Sequence, residues 1–410
     1  MAGGPGSFLI GEEEKRELLE VIEAGYLFRY GGASDPKYKH KVVTFEDEFA
    51  AYTGANHCIA VSSGTSALLC SLAALGVGPG DEVIVPGYTF IASVSSIILS
   101  RAIPVLAEID ESLNIDPEDI RRKITDKTKA IMPVHMLGNP CNMDEIMKIS
   151  EEHNLYVIED CCQAAGARYK GRSVGTIGHI GAFSLNHFKT ITAGDGGMLI
   201  TNDAELYERA FAFHDQGHLP KRMGVEIGNR SIIGMNARMN EITGAVSLAQ
   251  LRKLDSLLKC LREKKTALKA KIQDVPNFTF RTLNDAKGEC CTLLTLLFDT
   301  KEKADKFCDA IGGKTLIHSG WHVYNNMEHF LGKKTVTDVS CPFECPFYGK
   351  EVEYNKNMLP KTDSILERAV NISIGVVDAG LGAGFGINIH SDEAEIEEVA
   401  QKIIELASSL

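Results

Sequence analysis

Lys189 and Asp160 are the two residues whose types and spacing invite covalent chemistry. Lys189 stands in a stretch with no other lysine between Lys170 and Lys221, just ahead of the turn Gly194-Asp195-Gly196-Gly197. Asp160 closes the apolar run Leu155-Tyr156-Val157-Ile158-Glu159-Asp160. A lysine amine forms an imine with an aldehyde, provided a partly buried polar site depresses its pKa. A carboxylate at a strand end can keep a ring nitrogen protonated. Together these are the two central contacts of a pyridoxal phosphate (PLP) site. Each residue also has a bland reading, a capping aspartate or a solvated surface lysine.

Neighbouring motifs shift the balance toward chemistry. Ser62-Ser63-Gly64-Thr65-Ser66-Ala67 falls between a strand signal and a helix signal. Gly64 and Thr65 then sit at a helix N-terminus, where backbone N–H groups suit a phosphate. By itself the motif is also ordinary N-cap chemistry. Phe90 follows the next strand and can stack on a planar ring or simply pack in the core. The glycines of 194–197 permit a tight turn close to a ligand.

Other suggestive clusters are set aside. Gly380-Leu381-Gly382-Ala383-Gly384-Phe385-Gly386 has the look of a dinucleotide loop. A Rossmann fingerprint needs a helix after it, whereas Ile387-Asn388-Ile389-His390 reads as β-like. We read 380–386 as a flexible loop near the active-site mouth. His214 and His218 are four apart, but Gly217 and Pro220 argue against a helix that would pair them on a metal. Cys341 and Cys345 lack the second pair that zinc needs. No metal is expected.

Positioning these residues takes alternating elements. Strand signals at 58–61, 82–85, 104–107, 130–134 and 156–158 alternate with helix signals at 65–75, 90–99 and 143–153. Short buried strands separated by helices predict a mostly parallel sheet covered on both faces. A long Leu- and Ala-rich helix from 240 to about 271 bridges to a smaller α/β part, with a strand at 292–298 and helices at 301–311 and 391–408. The domain reading is 1–255, a large cofactor-binding domain, and 256–410, a small C-terminal domain.

Bulk properties exclude several classes. The chain has 410 residues and a formal net charge of -12. An acidic surface repels a phosphate backbone, so nucleic acid is not an expected partner. No apolar run approaches the roughly 18 residues that span a bilayer, and the N-terminus lacks the pattern of a signal peptide. The eleven cysteines are scattered, and the adjacent pairs Cys161-Cys162 and Cys290-Cys291 lie in or beside apolar segments. Reduced core thiols and a cytoplasmic protein are the expectation.

In this order the motifs resemble the DegT/StrS family of PLP-dependent sugar aminotransferases, a branch of fold type I. The likeness runs from about residue 10 to the end of the bridging helix and is strongest at 62–67, 80–86, 157–166 and 175–201. The resemblance implies a role for each matching position. Lys189 carries the Schiff base and Asp160 the pyridine nitrogen. Gln163 meets the ring hydroxyl, and Ser184, Gly64 and Thr65 hold the phosphate. Phe90 stacks on the ring. Asn236 serves the phosphate site of a neighbouring subunit, so a homodimer is implied.

Two positions depart from the family pattern. Asn186 stands where the family usually has histidine, with His187 one place later, and Asp195 replaces the commoner glutamate. Because the lysine is present, the resemblance favours transamination, from glutamate to a keto or aldehyde sugar, with Lys189 moving the proton. PLP-dependent sugar dehydration, or other PLP chemistry on this scaffold, is the alternative. Phe28-Arg29-Tyr30, 107–111, 134–136, 189–192 and 247–255 look most similar to the branch that makes 8-amino-3,8-dideoxy-octulosonate. A keto-octulosonate therefore joins nucleotide-linked keto sugars and cyclitol ketones among the candidate acceptors. Arg29, Arg238 and His322 are candidate substrate contacts.

Overall fold

The computed structural model describes residues 2–32, 34–220, 228, 231–336 and 341–410. Seven strands form the main sheet: β1 (His57–Val61), β2 (Glu82–Pro86), β3 (Ile103–Ala107), β4 (Thr128–Ile131), β5 (Tyr156–Asp160), β8 (Ile180–Ser184) and β9 (Gly197–Thr201). The two-residue strands β6 (Arg168–Tyr169) and β7 (Arg172–Ser173) make a separate hairpin. The sheet order is β1-β9-β8-β5-β4-β2-β3. β9 runs antiparallel to both neighbours, and every other pairing is parallel. Nearly every strand residue is buried because helices cover both faces. The expected mostly parallel sheet is thus observed.

Some boundaries differ from the sequence reading. The strand expected at 130–134 runs Thr128–Ile131, since Pro133 cannot donate to a ladder. Beyond it only Val134 bridges to Asp160. Neither β8 nor β9 is announced by a strong apolar run. Gly181 is required in β8, because a Cβ there would stand 2.3 Å from the Gly175 Cα.

A small antiparallel sheet holds β10 (Phe278–Phe280), β11 (Leu293–Phe298) and β12 (Ala369–Ser373) in that order. Ile387–His390 is not a strand: the chain makes one bridge, Ser373 to Gly386, and then turns. The preceding segment is a loop that carries one short helix and one bridge. Asp378 caps the short helix Ala379–Leu381 and bridges to Ala383.

The helix Glu241–Ile272 has 32 residues and spans about 48 Å at 1.5 Å per residue. Leu248, Leu251 and Leu254 pack in one core with Phe45 and Phe49. Leu261, Leu268 and Ile272 pack in another with Phe298, Phe307 and Ile403. We propose the division at 255/256 as a change of packing partner along this helix. Leu316, Tyr324, Phe330 and Leu359 return to the core of the main sheet, so that division is not one of sequence alone. Among the described residues, no helix is long and apolar enough to cross a membrane.

Candidate active site

One cavity of about 410 Å³ opens at the carboxyl ends of β1, β2 and β5. That is where ligands gather in an open α/β sheet. Gly64, Thr65, Phe90, Asp160, Gln163, Ser184 and Lys189 all line it. The strands explain the convergence: Asp160 and Ser184 are the last residues of the adjacent strands β5 and β8. Gly64 and Thr65 open the helix Gly64–Ala74, and Ser63 caps it by accepting from Ser66 N–H at 3.0 Å.

Close backbone approach builds the end of the cavity at the helix N-terminus. A Cβ on Gly64 would lie 2.8 Å from Ser184 Cβ and 2.9 Å from Cys162 Sγ. Gly197 matters for the same reason, since its Cβ would sit 2.5 Å from the Ser63 carbonyl carbon. Glycine at these positions lets β8, β9 and the helix N-terminus meet.

Asp160 is 3 % exposed. Its Oδ2 accepts from Ser93 Oγ at 2.7 Å, and its Oδ1 accepts from Cys162 N–H at 3.0 Å. Thr89 Oγ1 shares a 2.7 Å hydrogen bond with Ser93. Among the described residues Asp160 makes no ion pair. A buried carboxylate facing only neutral donors wants a cation. Its environment therefore fits a protonated ring nitrogen.

Lys189 is half-buried in a loop anchored at both ends. Lys189 N–H donates to Asn186 O at 2.9 Å, and Leu185 N–H donates to Gly196 O at 2.9 Å. Its Nζ has no protein partner among the described residues. The two departures from the family pattern touch each other: Asn186 Nδ2 donates to Asp195 Oδ1 at 3.2 Å, and both line the cavity. His187 faces away and meets Ala2 O at 3.0 Å.

Thr292, Leu293, His322, Val376, Asp378 and Leu381, from later parts of the chain, supply the opposite wall. Of these, the sequence reading names His322 as a candidate substrate contact and sets 380–386, which holds Leu381, near the mouth; the other residues were not legible. His322 lies 5.1 Å from the Phe90 ring. Burial, with the Lys189 ammonium nearby, pushes its pKa down to about 3. The imidazole is therefore neutral. Its Nδ1 donates to Ser319 O at 3.2 Å, leaving Nε2 as an acceptor. Ser93 and Cys162 were also missed, although Ser93 lies three residues after Phe90 and Cys162 is next to Gln163.

Arg29 is not a substrate contact in this chain. It is 2 % exposed, donates to Ala60 O at 3.0 Å and pairs with Glu46 at 2.7 Å. Arg238 pairs with Asp215 outside the cavity. Asn236 is exposed on the same segment, and its Oδ1 accepts from Arg238 N–H at 3.3 Å. His214 belongs to the Arg29 cluster, with its Nε2 3.3 Å from the guanidinium. One group, His135, Glu159 and Cys161, clusters like metal ligands. Its histidine and carboxylate atoms are already engaged in protein hydrogen bonds.

Fold and site define the class: an α/β protein of fold type I, the architecture of PLP-dependent aminotransferases. The 3-amino-5-hydroxybenzoic acid synthase structure superposes with a TM-score of 0.79 at 29% identity, covering 100% of both chains. The chain belongs to the DegT/DnrJ/EryC1/StrS aminotransferase family, whose pattern it matches over residues 9–377. That match runs well past the bridging helix where the visible likeness ended. The spore coat polysaccharide biosynthesis protein SpsC of Bacillus subtilis is 33% identical over 89% of this chain and 90% of its own. GDP-perosamine synthase of Escherichia coli O157:H7 is 44% identical over 252 residues, 61% of this chain. That alignment spans 66% of the synthase's length.

Proposed function

We propose that the protein is a PLP-dependent aminotransferase. In this reading it moves an amino group from an amino acid, glutamate, to a keto or aldehyde sugar or sugar-like acceptor. A keto-octulosonate remains our finer candidate, supported by the local sequence likeness at 28–30, 107–111 and 247–255. The observation that carries the proposal is Asp160: a buried carboxylate without a cation partner among the described residues, on the same cavity as Lys189.

Bound PLP supplies an electron sink for a carbanion. The chain's residues do the rest. Gly64, Thr65 and Ser184 hold a phosphate at the helix N-terminus. Asp160 keeps the ring nitrogen protonated, and Ser93 and the Cys162 N–H hold its carboxylate in place. Phe90 would pack against the ring face, and Gln163 would meet the ring hydroxyl. Lys189 Nζ would anchor the cofactor and serve as the base and acid that moves the proton at the substrate's α-carbon. The neutral His322 Nε2 accepts from a sugar hydroxyl.

A homodimer accompanies this reading. The exposed Asn236, outside its own chain's cavity, supports service to a neighbouring copy's phosphate site. We also place the protein in the cytoplasm, in keeping with eleven free cysteines.

The test loads the protein with PLP, adds glutamate and follows the visible absorbance and 2-oxoglutarate release. Keto sugars, including a keto-octulosonate, are then screened for restoring the original band. The expected result is stoichiometric 2-oxoglutarate and a requirement for Lys189. A Lys189→Ala protein that still transaminates would sink the proposal.

A further inference from the structure

Gln163 is held by a strained support. Residues Met136–Gly138 form a short 3-10 turn in which Leu137 has φ 55° and ψ 32°. This left-handed backbone costs a leucine about 1 kcal/mol or more. The turn persists because its polar atoms are engaged. Met136 N–H donates to Asn114 Oδ1 at 3.0 Å, and Gly138 O accepts from Cys290 N–H at 3.0 Å. The Met136 and Leu137 carbonyls both accept from Arg281, from Nη1 and Nη2, each at 3.1 Å. One guanidinium thus forks across two successive carbonyls.

Arg281 is 4 % exposed and lies 3.9 Å from Glu289, which Lys265 engages at 2.6 Å. Two buried cations share one carboxylate. Such burial is expensive, and apolar residues often replace buried ion groups without loss of stability. No apolar side chain can satisfy two carbonyls and so hold Leu137 in this backbone.

The remaining group of the turn explains what that support achieves. Leu137 N–H donates to Gln163 Oε1 at 3.0 Å. A backbone N–H is a donor only, so it must meet Oε1 rather than Nε2. The amide therefore cannot flip. Nε2, with two protons and no protein partner among the described residues, is left for the cavity that Gln163 lines.

We propose that Arg281 is a positioning residue for the cofactor site: by pinning Leu137, it fixes the Gln163 amide with Nε2 as the donor presented to the ligand. This rests on the PLP reading, in which Gln163 meets the ring hydroxyl oxygen. A donor at that oxygen favours its anionic form. Losing the donor changes the spectrum of bound PLP as well as the rate.

Arg281→Met removes both donors and leaves an unbranched, shorter apolar side chain. The PLP-loaded variant is expected to show a displaced visible band and a displaced pH midpoint for that band. Its PLP Kd should rise about 10-fold, and kcat should fall more than KM for the amino donor changes. Gln163→Glu keeps an oxygen for Leu137 N–H and loses the Nε2 donor, so it should reproduce the spectral change at wild-type Tm. If Arg281→Met does not fold, Arg281→Gln carries the same test, since its single shorter amide cannot span both carbonyls as the guanidinium does. Arg281 variants with a wild-type spectrum and titration, beside Gln163 variants that shift both, would overturn the positioning role alone. Unchanged spectra in Gln163→Glu and Gln163→Ala would overturn the underlying assignment of Gln163.

Discussion

Glu159 and Asp160 are consecutive residues of β5 that face opposite sides of the sheet, and their surroundings could hardly differ more. Glu159 is fully buried and accepts four hydrogen bonds. They come from His135 Nε2 at 3.0 Å and from the N–H groups of Gly175, Ile177 and Gly178 at 2.8, 2.7 and 2.6 Å. His135 Nδ1 accepts from Cys141 N–H at 2.9 Å, so the proton is on Nε2. Among the described residues Asp160 accepts two, both from neutral groups, and opens on the cavity. A carboxylate offers about four lone-pair sites. The side of the strand where they are filled builds structure, tying β5 to the turn before β8. The side where two remain open is reserved for a ligand. Residue type does not distinguish the two roles, but donor count does.

The largest expected effect is on the open side. Asp160→Asn keeps shape and removes charge, and should lower the glutamate half-reaction rate about 10²–10³-fold. Its thermal midpoint should stay near wild type, or rise as a buried charge is removed. A variant of full activity would erase the functional half of the comparison. Glu159→Gln is the mirror experiment. It replaces an acceptor by a donor facing backbone N–H groups and should cost about 3 kcal/mol of stability, read by denaturant titration. The rate per folded molecule should remain close to wild type. An inactive but fully stable Glu159→Gln protein would break the contrast.

The smallest effect is in pH. Burial raises the Glu159 pKa, but the hydrogen bond from His135 and those from the Gly175 and Gly178 N–H groups outweigh it, leaving it below the ordinary 4.5. Its folded pKa is depressed, so its contribution is complete above about pH 4.5 and is lost as pH falls through the folded value. His214 sits at about 3 against 6.5 when free, held down by burial and then by the Arg29 guanidinium. The unfolded chain therefore takes up that proton first, and stability declines as pH falls below about 6.5. His322 shares this window. Thermal midpoints should fall as pH drops below about 6.5 and more steeply below about 4.5. His214→Gln should reduce the first slope, leaving the His322 share, and Glu159→Gln should reduce the second. A flat wild-type profile would contradict both assignments.

The parts that could be read from the sequence are local. β1, β2, β3 and β5 follow from short apolar runs between turn signals, and Gly64, Thr65, Phe90 and Asp160 follow from their places at strand ends, whereas Gln163 and Ser184 came from the family resemblance. β8 and β9 were harder because Ile-Gly-Ala-Phe-Ser and Gly-Met-Leu-Ile-Thr are short and glycine-bearing. Their identity depends on Gly181 nesting against Gly175. Arg29 looked like a substrate contact because an arginine in isolation reads as a surface cation. Its partners Ala60, Glu46 and His214 are 31, 17 and 185 residues away, and those contacts bury it.

What the sequence determined by itself is the alternation of elements and the kinds of residue that end the strands. Periodicity and turn chemistry are short-range properties of the chain. Tertiary structure alone decided which of two adjacent carboxylates stays undersaturated and that Asn186 meets Asp195. It also set His322 and Asp378 opposite Lys189, and let Arg281 lock a turn 145 residues earlier in the chain. Each of these depends on hydrogen-bond saturation and burial. Both are set by neighbours in space, which distant parts of the chain supply only when the fold closes.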